Sequence, residues 1–187
     1  MLDDRTRTLA EIFDPCGVVD TESRPIAARK TGLAGLRLGI LDNSKWNANK
    51  LLRGAAAALS EQIAFETVNY YVKTHGFSSD APPEMLRQIA AENDIVLTAI
   101  GDCGSCCSCG IRDAIALEEL GLPTASIITT EFVNETRLTR TAVGMPALRP
   151  VVIDHPVSSI TAEEVAARVA VIAQQAQEVW LGTRDDI

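Results

Sequence analysis

The sequence predicts a three-layer α/β/α domain with a mainly parallel, doubly wound, flavodoxin-like sheet of about five strands. Apolar runs suited to strands alternate with amphipathic stretches at helical spacing from residue 36 onward. Each strand run is almost continuously apolar, which is typical of a parallel sheet covered by helices on both faces. With 187 residues, 47% of them apolar, the chain suits one α/β domain over residues 36–187, preceded by an N-terminal arm over residues 1–35.

Short apolar runs mark the predicted strands at 36–41, 65–72, 94–100, 124–130 and 151–153. The helices are predicted at 47–63, after Pro82-Pro83, from about 109 to 120, at 134–142 and from 161 to about 181. The last helix opens at Thr161 with capping-box spacing to Glu164. Residues 1–35 show no sustained periodicity, and we expect an extended arm that packs on a partner subunit.

Charge and hydropathy argue against several classes of partner. The chain has 17 basic and 25 acidic residues, and its net charge of -8 opposes binding to nucleic acid or to anionic lipid. The N-terminus lacks a basic start followed by an apolar run, and no segment reaches the roughly 18 apolar residues that span a bilayer. We therefore expect a cytoplasmic protein with a small-molecule substrate, acting as a homo-oligomer and most simply as a dimer.

Four of the five cysteines lie close together, directly after the third predicted strand. In a reducing compartment such clustering indicates redox chemistry, nucleophilic catalysis or metal binding. Cys103 comes first, ahead of a predicted helix whose free backbone amides and dipole favour a thiolate. Gly104 permits a tight turn, and Cys106 can reach back to form a disulfide with Cys103 or to resolve a mixed one.

Two other interpretations of the cluster are open. Cys103, Cys106 and Cys109 have the spacing of ligands to zinc or to an iron–sulfur cluster, with Cys16 or His155 as a distant fourth ligand. Alternatively, some of the thiols simply pack as small hydrophobic side chains. So many cysteines in one short segment favour thiol chemistry over both alternatives.

Polar residues after the first strand form a second candidate segment. Lys45 could hold a substrate carboxylate or stabilise the Cys103 thiolate, or it could be a solvated surface lysine. Asn43 and Asn47 could orient a polar ligand, although asparagine at a strand end or helix start is commonly a turn former or cap. Trp46 could stack on a ligand or cover an edge of the core.

Further candidates follow the later strands. His155 lies just past the fifth strand, where a general acid or base is useful, although histidine before proline is also often structural. Asp102 either perturbs Cys103 or caps the next helix, and Glu131 after the fourth strand is a weaker candidate. Because ligands of such sheets bind beyond the carboxyl ends of the strands, these segments are expected to converge on one crevice.

Two motifs resemble those of a known family. Asp102-Cys103-Gly104-Ser105-Cys106 after an apolar strand looks like the signature of the UGSC-motif family of selenoproteins and their cysteine homologues. In that family the position of Cys103 can hold selenocysteine, which implies a redox or nucleophilic role. The similarity covers roughly residues 36–160. It includes the segment from Leu41 to Ala48, in which Trp46 stands in place of the usual proline. The other matching segments are Asp113-Ala114, Leu117-Glu118, Gly121-Leu122-Pro123-Thr124 and His155-Pro156. More remotely, the spacing of Cys103, Cys106 and Cys109 is similar to that of selenoprotein B subunits of glycine, sarcosine and betaine reductases.

Residues and resemblance together predict a small-molecule enzyme that performs thiol-dependent redox chemistry or reductive cleavage on an electrophilic, anionic substrate. The predicted catalytic residues are Cys103, Cys106, His155 and Lys45. The predicted substrate-binding residues are Asn43, Asn47, Asp102, Gly104, Ser105 and Glu131. One alternative is a cysteine-nucleophile or metal-dependent lyase, hydratase or hydrolase, and another is a non-enzymatic metal-binding or redox-sensing subunit. No nucleotide-binding glycine motif is present, so we predict no cofactor beyond an external thiol reductant and leave a metal open.

Overall fold

A computed structural model describes residues 21–185, and this part of the chain alternates strands with helices. The strands are β1 (Arg37–Asp42), β2 (Thr67–Val72), β3 (Ile95–Gly101), β4 (Thr124–Thr129) and β5 (Val151–Ile153). The helices are α1 (Ala48–Ser60), α2 (Pro83–Glu92), α3 (Gly104–Glu119), α4 (Val133–Ala142) and α5 (Ala162–Leu181), with a 3₁₀ turn at Thr130–Phe132. Every predicted strand and helix is present, and apart from the start of α3 the ends differ by only a few residues.

The strands form one sheet in the order β2-β1-β3-β4-β5, and every neighbouring pair is parallel. This is the order of flavodoxin-like doubly wound folds, so the predicted fold class is confirmed. After β1 the chain crosses outward to β2 and then returns to β3 on the other side of β1. The segments that follow β1 and β3 therefore diverge at the carboxyl end of the sheet, where ligands of such folds bind.

The core lies on both faces of the sheet, because successive strand residues point to opposite sides. Ile40 packs among residues of α1 and α5, whereas the next residue, Leu41, packs among residues of α2 and α3. Trp180 of α5 is fully buried in the first of these layers, and its indole N–H donates to the Val96 carbonyl oxygen at 3.0 Å. Apolar packing on both faces holds the strand ends, and thus the segments after them, in fixed positions.

Helix α3 begins earlier than the sequence predicted. We expected it to start near Cys109, but it starts at Gly104, which places Cys106 in its first turn rather than in a preceding loop. The Cys103 sulfur takes the place of an N-cap oxygen and accepts a hydrogen bond from the Cys106 amide at 3.3 Å. This cap lets the helix start directly after the strand.

Residues 21–35 contain no helix or strand and lie along their own domain. The Ala27 amide donates to the Glu118 carboxylate at 2.8 Å, and the Arg29 guanidinium pairs with the same carboxylate at 2.5 Å. That carboxylate also accepts from the Thr124 amide at 2.8 Å, so one buried side chain joins this segment to α3 and β4. Packing of the arm on a partner subunit stays a prediction, since residues 1–20, with Cys16, lie outside the described part of the chain. Between residues 21 and 185, no helix has the length and apolar character needed to cross a membrane.

Candidate active site

Cys103 lies between the end of β3 and the start of α3, with its side chain partly exposed. The close approach of strand and helix requires a residue without a Cβ at the strand end. A Cβ on Gly101 would lie 3.0 Å from the Cys107 Cα and from a methyl carbon of Ile128. The glycine therefore allows the first turn of α3 to sit against the sheet, with the Cys103 sulfur at the carboxyl edge.

The surroundings of Cys103 favour its thiolate. Partial burial opposes ionisation, but hydrogen bonds from the thiol and the amide of Cys106, from Lys45 and from Ser105 outweigh it. Together they lower the pKa of Cys103 to about 7, so that a large fraction of the sulfur is ionised near neutral pH. The sequence prediction of a thiolate at a helix start thus has a structural counterpart in four named donors.

Cys106 is fully buried behind Cys103. Its sulfur accepts hydrogen bonds from the Asp102 amide at 3.2 Å and from Lys45 Nζ at 3.1 Å, and it lies 3.2 Å from the Cys103 carbonyl oxygen. Burial and the neighbouring Cys103 sulfur raise the pKa of the Cys106 thiol. The pair therefore consists of an accessible thiolate and a buried neutral thiol.

Lys45 lies at the cysteine pair and not on the open surface, since only 13% of its side chain is exposed. Its Nζ is 3.1 Å from Cys106 Sγ, 4.0 Å from Asp102 Oδ2 and 5.4 Å from the centre of the Phe77 ring. Burial opposes the charged form, but hydrogen bonds to Cys106 and Cys103 raise the pKa of Lys45, so it remains an ammonium. The interpretation of Lys45 as a solvated surface residue is wrong.

The side chains of Asp102, Thr129 and His155 are in contact, although each residue follows or ends a different strand. Asp102 Oδ1 is 2.8 Å from His155 Nδ1, and Thr129 Oγ1 lies 3.3 Å from Asp102 Oδ1 and 3.1 Å from His155 Nδ1. Asp102 is 5% exposed and does not cap α3, because the Cys103 sulfur has that role. With Nδ1 held by the carboxylate, His155 presents Nε2 for proton exchange, on a side chain that is 33% exposed.

The two asparagines use their amides to hold loops. Asn43 is buried, donates from Nδ2 to the Ile100 carbonyl at 3.1 Å and accepts the Lys45 amide at 3.3 Å. Asn47 is the N-cap residue of α1, and its Nδ2 donates to the Val157 carbonyl at 2.7 Å. The Asn43 contacts match the turn-former alternative. Asn47 occupies the N-cap position, but its side chain makes no capping hydrogen bond and instead holds the segment after β5. Both amides are already engaged by the protein.

The remaining predicted substrate-binding residues lie at different distances from the cysteine pair. Gly104 and Ser105 form the exposed start of α3, and Ser105 Oγ is 3.7 Å from Cys103 Sγ. Glu131 is exposed on the 3₁₀ turn after β4, and within residues 21–185 it has no hydrogen bond to the cysteines.

The other two described cysteines face away from the pair. Cys107 is buried with its sulfur 3.1 Å from Thr136 Oγ1, and burial raises its pKa to about 12. The Cys109 sulfur accepts from Arg112 Nη2 at 3.2 Å, and burial again raises the pKa of its thiol. Within the described part of the chain, no group of three His, Cys, Asp or Glu side chains is placed to hold a metal. The three-thiol ligand set of the metal alternative is therefore not assembled.

Sequence reasoning missed three residues at this site. Thr129 ends β4 and joins Asp102 to His155, and its position as a polar residue at a strand end was the available signal. Phe77 lies beside Lys45, and Ser78 Oγ is 3.1 Å from Ser105 Oγ. Both belong to the loop after β2, which lacks a motif that points to the cysteines.

Comparison with known proteins gives a family and, among solved structures, a distant likeness. A diflavin flavoprotein A3 from Nostoc sp. is 11% identical, with a TM-score of 0.40 over 81% of this chain and 99% of that chain. No curated protein matches the sequence. The likeness of the cysteine spacing to selenoprotein B stays a prediction.

The model of the UGSC family matches residues 11–182, which extends beyond the segments whose motifs first suggested it. The match takes in the segments after β1, β3 and β5, which supply Lys45, Cys103 and His155. The chain belongs to the UGSC family.

Proposed function

We propose that the protein is an enzyme that reduces a small electrophilic molecule with the Cys103–Cys106 thiol pair. The observation that carries the proposal is the contrast between the two thiols. Cys103 is partly exposed with a pKa lowered to about 7, whereas Cys106 is fully buried with a raised pKa. An accessible thiolate suits attack on a substrate, and a buried neutral thiol suits later resolution of the product.

The reaction can be written for a substrate E–L, in which E is the electrophilic atom and L is its leaving group. The Cys103 thiolate forms an S–E bond, and L leaves with the electrons of the E–L bond and takes up a proton. The Cys106 sulfur then attacks Cys103 Sγ, so that an S–S bond forms and the S–E bond breaks. E departs with that electron pair and takes the Cys106 proton. The thiol pair has lost two electrons, which two molecules of an external thiol restore as they are oxidised to their own disulfide.

Other residues of the site support both halves of this cycle. His155 Nε2 is the nitrogen available to protonate L, because Asp102 and Thr129 occupy Nδ1. When an external thiol attacks the exposed Cys103 sulfur of the disulfide, the leaving Cys106 thiolate is stabilised by the Lys45 ammonium and the Asp102 amide. Lys45 thus serves the cysteines, and its role in holding a substrate anion stays a prediction.

An aromatic disulfide that releases a coloured thiolate tests the proposal. One equivalent of the reagent should release two equivalents of coloured thiolate from the wild-type protein, because Cys106 resolves the mixed disulfide on Cys103. Cys106→Ser should release one equivalent and retain the mixed disulfide. Cys103→Ser should react slowly, since the remaining described thiols are buried. Equal release by wild type and Cys106→Ser would rule out the resolving role.

A second candidate is a non-redox reaction in which Cys103 is the nucleophile and His155 the acid and base. The Asp102–His155 pair favours it, because Asp102 directly precedes Cys103 and a carboxylate that orients a histidine is a common partner of a nucleophilic thiol. It requires only one thiol, so turnover by Cys106→Ser in the absence of added reductant would favour this candidate over the first.

A further inference from the structure

Two exposed apolar rings belong to the segments that surround Lys45. Trp46 is 74% exposed and Phe77 is 38% exposed, and no other Phe, Trp or Tyr in residues 21–185 is as exposed. Trp46 adjoins Lys45 in sequence, and the Phe77 ring lies 5.4 Å from Lys45 Nζ. Large exposed aromatic residues around a reactive group indicate a binding surface more often than chance.

The loop that carries Phe77 is fixed at both ends. Lys73 is buried, and its Nζ lies 2.7 Å from one oxygen of Asp113. The other oxygen of Asp113 accepts the Ala81 amide at 2.7 Å, so one buried carboxylate holds the start and the end of the loop. Between them, Ser78 is 3.1 Å from Ser105, next to Cys103. Phe77 is therefore held at the site rather than placed there by a loose segment.

The loop that carries Trp46 is fixed as well. Ser44 and Asn47 flank it in the left-handed region, with φ of 64° and 61°. The Ser44 hydroxyl donates to the Lys73 carbonyl at 2.8 Å, and Asn47 is bound to Val157. Trp46 and Lys45 border one open depression of about 330 Å³, which has room for a ring-sized group. Its lining does not include the cysteines or Phe77, and it adjoins the cysteine pair through Lys45, whose Nζ is 3.1 Å from Cys106 Sγ.

Resting on the function proposed above, we infer that Trp46 and Phe77 select substrates whose electrophilic atom carries a flat, apolar group of ring size. An aromatic group held against either ring would lie beside Lys45, whose Nζ is 5.4 Å from the Phe77 ring centre and 3.1 Å from Cys106 Sγ, and its electrophilic atom would extend toward Cys103. A small molecule fits better than a protein thiol partner, because the Ser78–Ser105 contact brings the loop across the start of α3 and narrows the approach to Cys103.

Alkylation of Cys103 tests the inference with two haloacetamides. The rate constants of iodoacetamide and of its N-benzyl derivative are measured on the intact protein, and each is divided by the rate constant with glutathione. The normalised rate constant of the benzyl reagent should exceed that of iodoacetamide by about tenfold or more, since two ring contacts contribute about that factor. The alkylation rate should also saturate at high concentrations of the benzyl reagent. Because both rate constants depend equally on the reactivity of the Cys103 thiol, their ratio reports only the effect of the benzyl group.

The variants Trp46→Ala and Phe77→Ala should each reduce this ratio several-fold, and Trp46→Phe should retain most of it. Leu138→Ala is the matched control, because Leu138 is 51% exposed on α4 and should leave the ratio unchanged. A ratio near one in the wild type, or one that the alanine variants preserve, would overturn the inference and would favour a surface for a protein partner. Failure of the proposed function appears differently, as slow alkylation by both reagents with no inflection near pH 7.

Discussion

Replacement of Lys45 by methionine should raise the pKa of Cys103. The ammonium lies 3.1 Å from Cys106 Sγ and also hydrogen-bonds to the Cys103 sulfur. Two unit charges about 4 Å apart interact by about 4 kcal/mol at an effective dielectric constant of about 20. Because Cys103 is partly open to water, we discount this to roughly 1.4 kcal/mol, which corresponds to a rise of about one pH unit in its pKa. The thiolate fraction at neutral pH should then fall from roughly one half to roughly one tenth.

The assay is the rate of alkylation of Cys103 by iodoacetamide as a function of pH. Only the thiolate reacts, so the wild-type rate should fall as pH decreases through about 7 and should level off well above it. In Lys45→Met the midpoint should move to higher pH, whereas Lys45→Arg, which keeps the positive charge, should remain close to wild type. A midpoint in Lys45→Met equal to that of the wild type would refute the assignment of the ammonium to thiolate stabilisation.

Three further predictions concern burial. Trp180→Ala removes a fully buried indole and should lower the free energy of unfolding in urea by about 3–5 kcal/mol; no loss would contradict its place in the core. Asp113→Asn leaves the buried Lys73 ammonium without its counter-charge and should lower the free energy of unfolding by about 3–5 kcal/mol. The double variant Lys73→Met, Asp113→Leu removes both charges and should recover most of that free energy; a double variant as unstable as Asp113→Asn would contradict the pairing. Cys107, whose pKa burial raises to about 12, should be alkylated in the native state at least about 100-fold more slowly than Cys103, and peptide mapping that finds equal labelling would contradict its burial.

Much of the fold was predictable, because strand and helix patterns are local. The run from Leu38 to Leu41 has no polar side chain, and this indicates a strand covered on both faces. The start of α3 was not predictable in the same way. Helix caps are usually recognised from Ser, Thr, Asp or Asn, and here the sulfur of Cys103 is the cap. Asp102, one residue earlier, offered a conventional cap that the chain does not use.

The cysteine pair could be predicted from the sequence, whereas the contacts of its partners could not. Asp102, Thr129 and His155 become neighbours only once the order β3-β4-β5 is known, because each follows or ends a different strand. Likewise, Asn43 and Lys45 are close in sequence, yet one binds backbone and the other binds Cys106. Spacing along the chain cannot separate these roles, since both depend on which loop comes to lie opposite.

The most direct test of the account is the oxidation state of Cys103 and Cys106 after mild oxidation of freshly purified protein. Intact mass and peptide mapping of the segment from Cys103 to Cys109 would locate any bond. We predict the loss of two hydrogens, a disulfide between Cys103 and Cys106, and full recovery of both thiols with added reductant. A protein whose Cys103 oxidises or is alkylated without ever pairing with Cys106 would contradict the dithiol mechanism.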